Sequence, residues 1–159
     1  MTKGDFVTTP TDLEIVMTRV FDAPLELVFR AYTDPELIPR WWGPRGTTTT
    51  VDKMDVRVGG AWRYLNQGPD GNEYAFNGEY REIAPPERLV STFEFEGMPG
   101  HVVLDTATFE EQDGKTTLTT TSRFQTVEER DGMLESGMEA GAAETMDRLA
   151  ELLEEMQRG

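Results

Sequence analysis

A small group of polar residues in the second half of the chain has the composition of an acid–base site. His101 and Asp105 are four positions apart in a stretch that alternates like a β-strand, so both side chains are expected on the inner face of a sheet. Tyr80 lies in a neighbouring predicted strand whose inner face is otherwise aromatic. Desolvation on such a face raises the pKa of a carboxyl group, which suits it for general acid or base catalysis. Asp105, His101 and Tyr80 are therefore the candidate catalytic residues.

The same residues also allow a purely structural interpretation, and sequence patterns alone favour it. Asp105 could be a hydrogen-bonded polar group at the open end of the sheet, or a register shift of one residue could turn it to solvent. A metal centre is not indicated, because His101 is the only histidine, there is no cysteine, and the acidic residues match no calcium loop. Gly59-Gly60 precedes a strand and lacks a following Lys-Ser/Thr, so it is no phosphate loop. We expect neither metal nor cofactor.

Turn chemistry predicts which strands pair and which side chains share a face. Asp113-Gly114 is the strongest hairpin signal, and a two-residue turn there places Gln112 opposite Lys115 and Asp105 opposite Ser122. His101 and Asp105 then alternate onto the same face as the apolar residues of this hairpin.

A second predicted hairpin turns at Pro85-Pro86. Pairing Ile83 with Arg88 sets Phe76 opposite Phe95 and covers the strand glycine Gly78 with an aromatic ring. The face toward the core becomes rich in aromatic residues. The predicted ligand-binding residues on this face and on the helix that covers it are Trp42, Trp62, Tyr64, Phe76, Tyr80, Phe93, Phe95, Val103, Met138, Gly141 and Thr145.

These residues must be positioned by one long C-terminal helix and a sheet. Apolar residues recur every three or four positions from Leu134 to Met156, which predicts a single helix from Thr126 to Arg158 with one buried face. Its acidic outer face offers the pairs Glu144–Arg148 and Glu154–Arg158. Seven strands are predicted: Leu13–Phe21, Thr47–Val58, Ala61–Gln67, Glu73–Ile83, Arg88–Glu96, His101–Gln112 and Lys115–Phe124.

Two short helices are predicted between the first and second of these strands. Asp22 and Pro24 favour the start of one helix, and a second runs from Glu36 to Trp41. At the middle of the long helix the side chains are small, with Gly137, Ala140, Gly141, Ala142 and Ala143. A concave sheet is not filled by such a helix, so we expect a cavity between them.

Length and charge limit the possible partners. The 159 residues fit one domain, 1–159, with residues 1–11 as a flexible lead-in. A net charge of −15 disfavours nucleic acid and anionic lipid surfaces. No apolar run reaches the ~18 residues of a membrane helix, and no signal peptide is recognisable. We therefore expect a cytoplasmic monomer or homodimer.

Six short motifs occur in series along the chain. They are Phe21-Asp-Ala-Pro24, Thr33-Asp-Pro-Glu36, Trp41-Trp-Gly-Pro44, Gly59-Gly60 before Trp62-Arg63, Gly78 to Ile83 with Pro85 to Val90, and Gly137-Met138 with Gly141 and Arg148-Leu149. Together they resemble the family named for homologues of the activator of the heat-shock chaperone ATPase, within the START-like, or helix-grip, superfamily. The resemblance extends from about Leu13 to Met156.

The resemblance implies an α+β fold in which a curved antiparallel sheet of six or seven strands grips the C-terminal helix around a cavity. The first functional hypothesis is binding of a small apolar or aromatic molecule there. The second is a cyclase, hydrolase or isomerase acting on a hydrophobic substrate through Asp105, His101 or Tyr80. The third, a module that stimulates a chaperone ATPase, is the weakest, because the chain lacks the extra domain that the resemblance implies for such activators.

Overall fold

An eight-stranded antiparallel sheet forms most of the molecule, in the order β1-β2-β8-β7-β6-β5-β4-β3. The structure, a computed structural model, describes residues 13–158 and the backbone of residues 7–10. The strands are β1 Val7–Pro10, β2 Glu14–Phe21, β3 Thr48–Met54, β4 Ala61–Gln67, β5 Glu73–Ala84, β6 Arg88–Phe95, β7 Val103–Gln112 and β8 Lys115–Arg123. The helices are α1 Leu25–Thr33, α2 Ile38–Trp41, α3 Val127–Glu135 and α4 Met138–Arg158. The predicted helix-grip class is confirmed.

One strand was not predicted. Val7–Pro10 pairs with β2 through Val7↔Thr18 and Pro10↔Ile15, although the sequence suggested a flexible lead-in over residues 1–11. Valine and threonine suit an edge strand, and a proline is tolerated there because an edge residue can lack an N–H partner. The remainder of that lead-in, residues 1–6 and 11, lies outside the described residues.

The predicted registers hold almost throughout the sheet. In the β7–β8 hairpin, Gln112 pairs with Lys115 and Asp105 with Ser122, as the Asp-Gly turn requires. In the β5–β6 hairpin, Ile83 pairs with Leu89 instead of the predicted Arg88. An irregularity between Tyr80 and Glu82 absorbs the one-residue difference, so that Phe76 still pairs with Phe95. The predicted inner face therefore survives a local error in the turn.

The C-terminal segment is two helices, where one continuous helix from Thr126 was predicted. Thr126 caps α3 by accepting a hydrogen bond from the Glu129 N–H, and α3 ends before Gly137, whose φ is +84°. This left-handed conformation is typical of a glycine just beyond a helix C-terminus. Gly137 consequently lies between α3 and α4, and of the two glycines Gly137 and Gly141 only Gly141 is within a helix.

Polar contacts fix α4 against the segment that follows α2. The predicted Glu154–Arg158 pair is present at 2.7 Å, whereas Arg148 does not pair with Glu144. Arg148 Nη1 instead donates to the carbonyl oxygens of Gly43 at 2.8 Å and Pro44 at 3.2 Å, and Glu144 accepts from the Arg45 N–H. A guanidinium that reaches two carbonyl oxygens provides both loop acceptors with a hydrogen-bond donor. The loop is thereby held close to the middle of α4.

The core is concentrated under the C-terminal half of α4. Leu149, Leu152 and Leu153 of this helix are buried against α1, α2 and the sheet. A smaller cluster of Ile15, Val103 and Phe124 packs beneath α3. Between the two clusters α4 contributes mostly small side chains, which leaves space over the sheet. None of the four helices in the described part of the chain has the length and hydrophobicity needed to span a membrane.

Candidate functional site

A cavity of about 430 Å³ lies between the inner face of the sheet and the N-terminal half of α4. The helix lines it with Met138, Gly141, Ala142, Thr145 and Met146. Between the two methionines these side chains are small, which leaves space between the helix backbone and the sheet. The cavity falls in the ~300–1,000 Å³ range of small-molecule sites.

An aromatic wall forms one side of the cavity. Trp42 contacts Tyr64 and Phe76 edge to face, with ring centroids 5.1 and 5.3 Å apart, and Trp62 lies 4.7 Å from Tyr64. Such arrangements add stability beyond the area they bury, so the rings hold fixed positions. Trp62 lies directly over Gly78, where an added Cβ would be 2.5 Å from the indole Nε1. The strand glycine therefore gives the indole room to lie flat on the sheet.

Asp105 places a carboxyl group in this apolar space. It pairs across the sheet with Ser91 on β6 and Ser122 on β7's other neighbour, β8. Its Oδ1 is inaccessible to water and has no hydrogen-bond partner among the described residues. Burial raises the pKa of Asp105 to about 6, and the Ser122 hydroxyl opposes this shift only in part. Near neutral pH the group can therefore exist in both protonation states.

Tyr32 and Tyr80 are two of the three tyrosines among the described residues that line the cavity. Burial raises the pKa of Tyr80 to about 12. Burial and then the nearby Asp105 carboxylate raise the pKa of Tyr32 above its usual range. Both phenols consequently stay protonated at neutral pH, and Tyr80 can donate a hydrogen bond but is a poor base.

His101 is not on the inner face, contrary to the prediction. It precedes β7, its side chain is 50% exposed, and its Nδ1 lies 2.9 Å from Glu129 Oε2 on α3. The strand begins only at Val103, because the turn before it includes Gly100 with a φ of +93°. Strand alternation cannot be extended back through such a turn. His101 thus lies apart from Asp105 and does not line the cavity.

The predicted ligand-binding residues lie beside the cavity with one exception. Phe95 does not line it, and its ring packs 5.2 Å from Phe76 and 6.2 Å from Tyr74, farther along the sheet. The residues that do line the cavity are Trp42, Trp62, Tyr64, Phe76, Tyr80, Phe93, Val103, Met138, Gly141 and Thr145. Their role in contacting a ligand stays a prediction.

The sequence interpretation missed a buried ion pair at the cavity. Arg19 is 3% exposed, and its Nη1 donates to Asp147 Oδ1 at 2.7 Å. The guanidinium carbon lies 5.4 Å from the centre of the Phe21 ring, in cation–π geometry. Alternation in β2 places Arg19 on the same face as Ile15 and Phe21, and this signal could have identified it.

The part of the chain that the structure describes offers no group of three or more His, Asp or Glu side chains that could hold a metal ion. The polar groups that line the cavity include Arg19 on β2, Tyr32 on α1 and Asp105 on β7, and the Asp105 carboxyl lies near the Tyr32 phenol. This arrangement suits hydrogen bonding and proton transfer to an organic molecule.

Comparison with known proteins gives one family match and several structural relatives. The family model described as Activator of Hsp90 ATPase homolog 1-like protein matches residues 22–154. No curated protein matches the sequence.

A protein from Arthrobacter aurescens, solved by NMR, is 28% identical with a TM-score of 0.87 over 94% of this chain and 91% of its own. A protein from Staphylococcus epidermidis is 31% identical with a TM-score of 0.81 over 94% of each chain.

A further structural relative comes from a biosynthetic locus. DynU16, a protein of the dynemicin biosynthetic locus, is 25% identical with a TM-score of 0.70. The match covers 91% of this chain and 48% of DynU16. The shared architecture thus occurs within a longer protein as well as in chains of similar length.

Proposed function

This chain belongs to the family of Activator of Hsp90 ATPase homolog 1-like proteins, and we propose that it binds a small apolar or aromatic molecule in the cavity between the sheet and α4. The single observation that supports this most is the cavity of about 430 Å³ beneath Gly141, walled by Trp42, Trp62 and Tyr64. Aromatic walls favour apolar or aromatic ligands, because contacts between rings add to the free energy of transfer from water.

Gly141 provides a direct test of ligand binding. A Cβ added at Gly141 would meet no atom within 4 Å, so alanine should be accommodated and should stabilise the helix by up to about 1 kcal/mol. We expect Gly141→Leu to project into the cavity and to weaken binding of the neutral fluorescent probe N-phenyl-1-naphthylamine at least tenfold. Fluorescence titration measures the affinity, and urea denaturation confirms that unfolding stays cooperative.

Ala140→Leu is the matched control for this experiment. Ala140 precedes Gly141 on the exposed side of α4, so a leucine there introduces the same side chain without entering the cavity. Its affinity for the probe should equal that of the parent protein. Undiminished binding by Gly141→Leu, or a loss of several kcal/mol in Gly141→Ala, would contradict a ligand site beneath this residue.

An enzyme acting on a hydrophobic substrate in the same cavity is the second candidate function. The unpartnered Oδ1 of Asp105 favours it, since a desolvated carboxyl group that titrates near neutral pH is suited to proton transfer. The relationship to a protein from a biosynthetic locus is compatible with such chemistry. Mass spectrometry of compounds that co-purify with the protein identifies candidate substrates. Asp105→Asn should then abolish their conversion while preserving their binding, and an active Asp105→Asn variant would leave binding alone as the function.

A further inference from the structure

Arg19 is the one strongly buried cation that lines the cavity among the described residues. Its side chain arises from β2, paired opposite Leu118, and lies over the Phe21 ring. A guanidinium has five N–H donors, and leaving a buried donor unpaired costs ~1–3 kcal/mol. The hydrogen bonds that the Arg19 guanidinium makes and lacks therefore indicate which chemical group of a ligand the cavity accepts.

Only one side of the Arg19 guanidinium forms a hydrogen bond within the described residues. Nη1 donates to Asp147 Oδ1 at 2.7 Å, and no further hydrogen bond of the guanidinium is present within the described residues. Nε is buried and has no partner there. Nε and Nη2 together form the edge of a guanidinium that takes a carboxylate through two parallel N–H···O bonds. Within the described residues, that edge makes no hydrogen bond to a protein atom.

Asp147 does not provide a hydrogen-bond partner for the Nε–Nη2 edge of Arg19. Its side chain is 34% exposed, whereas that of Arg19 is 3% exposed, so the carboxylate of Asp147 sits on the solvent side of the pair. The positive group thus lies on the inner side, in apolar surroundings that strengthen its attraction for an anion.

We propose that the molecule taken up by the cavity is a carboxylic acid with an apolar body, and that its carboxylate binds the Nε–Nη2 edge of Arg19. This inference rests on the proposed ligand-binding function and adds the chemical class of the ligand. The aromatic wall of Trp42, Trp62 and Tyr64 holds the apolar body, and Asp147 holds the guanidinium in place from the other side. Arg19 is accordingly the residue that selects an acid over its neutral analogues.

A pair of probes with the same ring system tests this selection. Isothermal titration at pH 7.5 compares 2-naphthoic acid with 2-naphthamide, which has nearly the same shape and no negative charge. The parent protein should bind the acid at least tenfold more tightly than the amide. Arg19→Met keeps much of the side-chain volume and removes the donors, so it should lose at least tenfold in affinity for the acid and less than threefold for the amide.

Two further variants separate this proposal from general effects of charge and folding. Arg81→Met removes one exposed positive charge from the outer face of β5 and should leave both affinities unchanged. Arg19→Lys keeps the charge but cannot form the two parallel bonds, so it should show an intermediate loss for the acid even if Arg19→Met folds poorly.

The possible results distinguish this proposal from the function on which it rests. Equal affinities for acid and amide in the parent, with N-phenyl-1-naphthylamine still bound, would overturn the carboxylate site and leave ligand binding intact. An equal loss for both probes in Arg19→Met would show a structural role and also overturn it. If the parent binds neither naphthalene probe nor N-phenyl-1-naphthylamine, the ligand-binding function fails and the carboxylate site fails with it.

Discussion

Gly78→Ala is expected to lower the free energy of unfolding by about 3 kcal/mol or more, or to prevent folding. An added Cβ would overlap the Thr92 carbonyl oxygen of the adjacent strand and lie 2.5 Å from Trp62 Nε1. The strand cannot retreat easily, because the Glu79 N–H donates to the Thr92 hydroxyl at 2.8 Å. The methyl group therefore displaces the β5–β6 pairing and the indole together. Urea denaturation followed by tryptophan fluorescence measures the loss.

Gly132→Ala is the matched control, because a Cβ at Gly132 in α3 meets nothing within 4 Å. It should be neutral or slightly stabilising, as expected for glycine to alanine in a helix. If Gly78→Ala reduces the unfolding free energy by less than about 1 kcal/mol, then Trp62 does not lie on the strand as the structure has it. The aromatic wall of the cavity would in that case have a different shape, and the probes chosen for binding would need to change.

The inner face of the sheet was predictable because short-range chemistry determines it. Asp113-Gly114 sets a two-residue turn, and every residue of β7 and β8 is then assigned to a face by alternation, Asp105 included. The one-residue error in the predicted pairing beside Pro85-Pro86 did not change the predicted inner face, because an irregularity after Tyr80 restores the register. Where a turn signal and a buried aromatic face indicate the same register, the sequence is sufficient to assign each side chain to a face of the sheet.

The errors arise where one local conformation interrupts a pattern. A stripe of apolar residues runs through Gly137, but a single left-handed residue there divides the helix. In the same way, the turn at Gly100 ends the alternation that was extended to His101. Periodicity indicates which positions could be buried but does not specify the φ of a glycine. These two interruptions could therefore be identified only from the three-dimensional structure.

Arg19 illustrates a different limit. Its position on the inner face follows from strand alternation, but an arginine at that position conflicts with the expectation that charges face water. What resolves the conflict is a partner 128 residues away, Asp147 on α4. Pairing at that separation depends on how the helix packs on the sheet, which no local pattern records. Strand alternation therefore indicates where Arg19 lies, but its partner Asp147 could be identified only from the structure.

Asp105→Asn is expected to stabilise the protein at alkaline pH and to have much less effect in acid. Burial raises the pKa of Asp105 from its ordinary 3.8 to about 6, so the folded state binds the proton more strongly than the unfolded state does. The stability gained from the protonated carboxyl is fully present below the unfolded pKa and is lost as the pH rises through about 6. Asparagine keeps the shape and cannot ionise. The difference in unfolding free energy between variant and parent should therefore grow by about 2–3 kcal/mol from pH 4 to pH 8.

Urea denaturation of both proteins across this pH range measures that difference, and comparing two proteins at each pH cancels the titration of all other groups. Glu110→Gln, at an exposed position on the same strand, controls for the loss of one negative charge from an acidic protein. A constant difference between the Asp105→Asn variant and the parent would mean that the carboxyl is hydrated in the folded state. The unpartnered Oδ1 would then have water as its partner, and acid–base chemistry in a dry cavity would lose its support. A difference that grows with pH and levels off above about pH 6 would instead mark a carboxyl group whose ionisation the folded protein opposes, a property that suits it for proton transfer to a bound molecule.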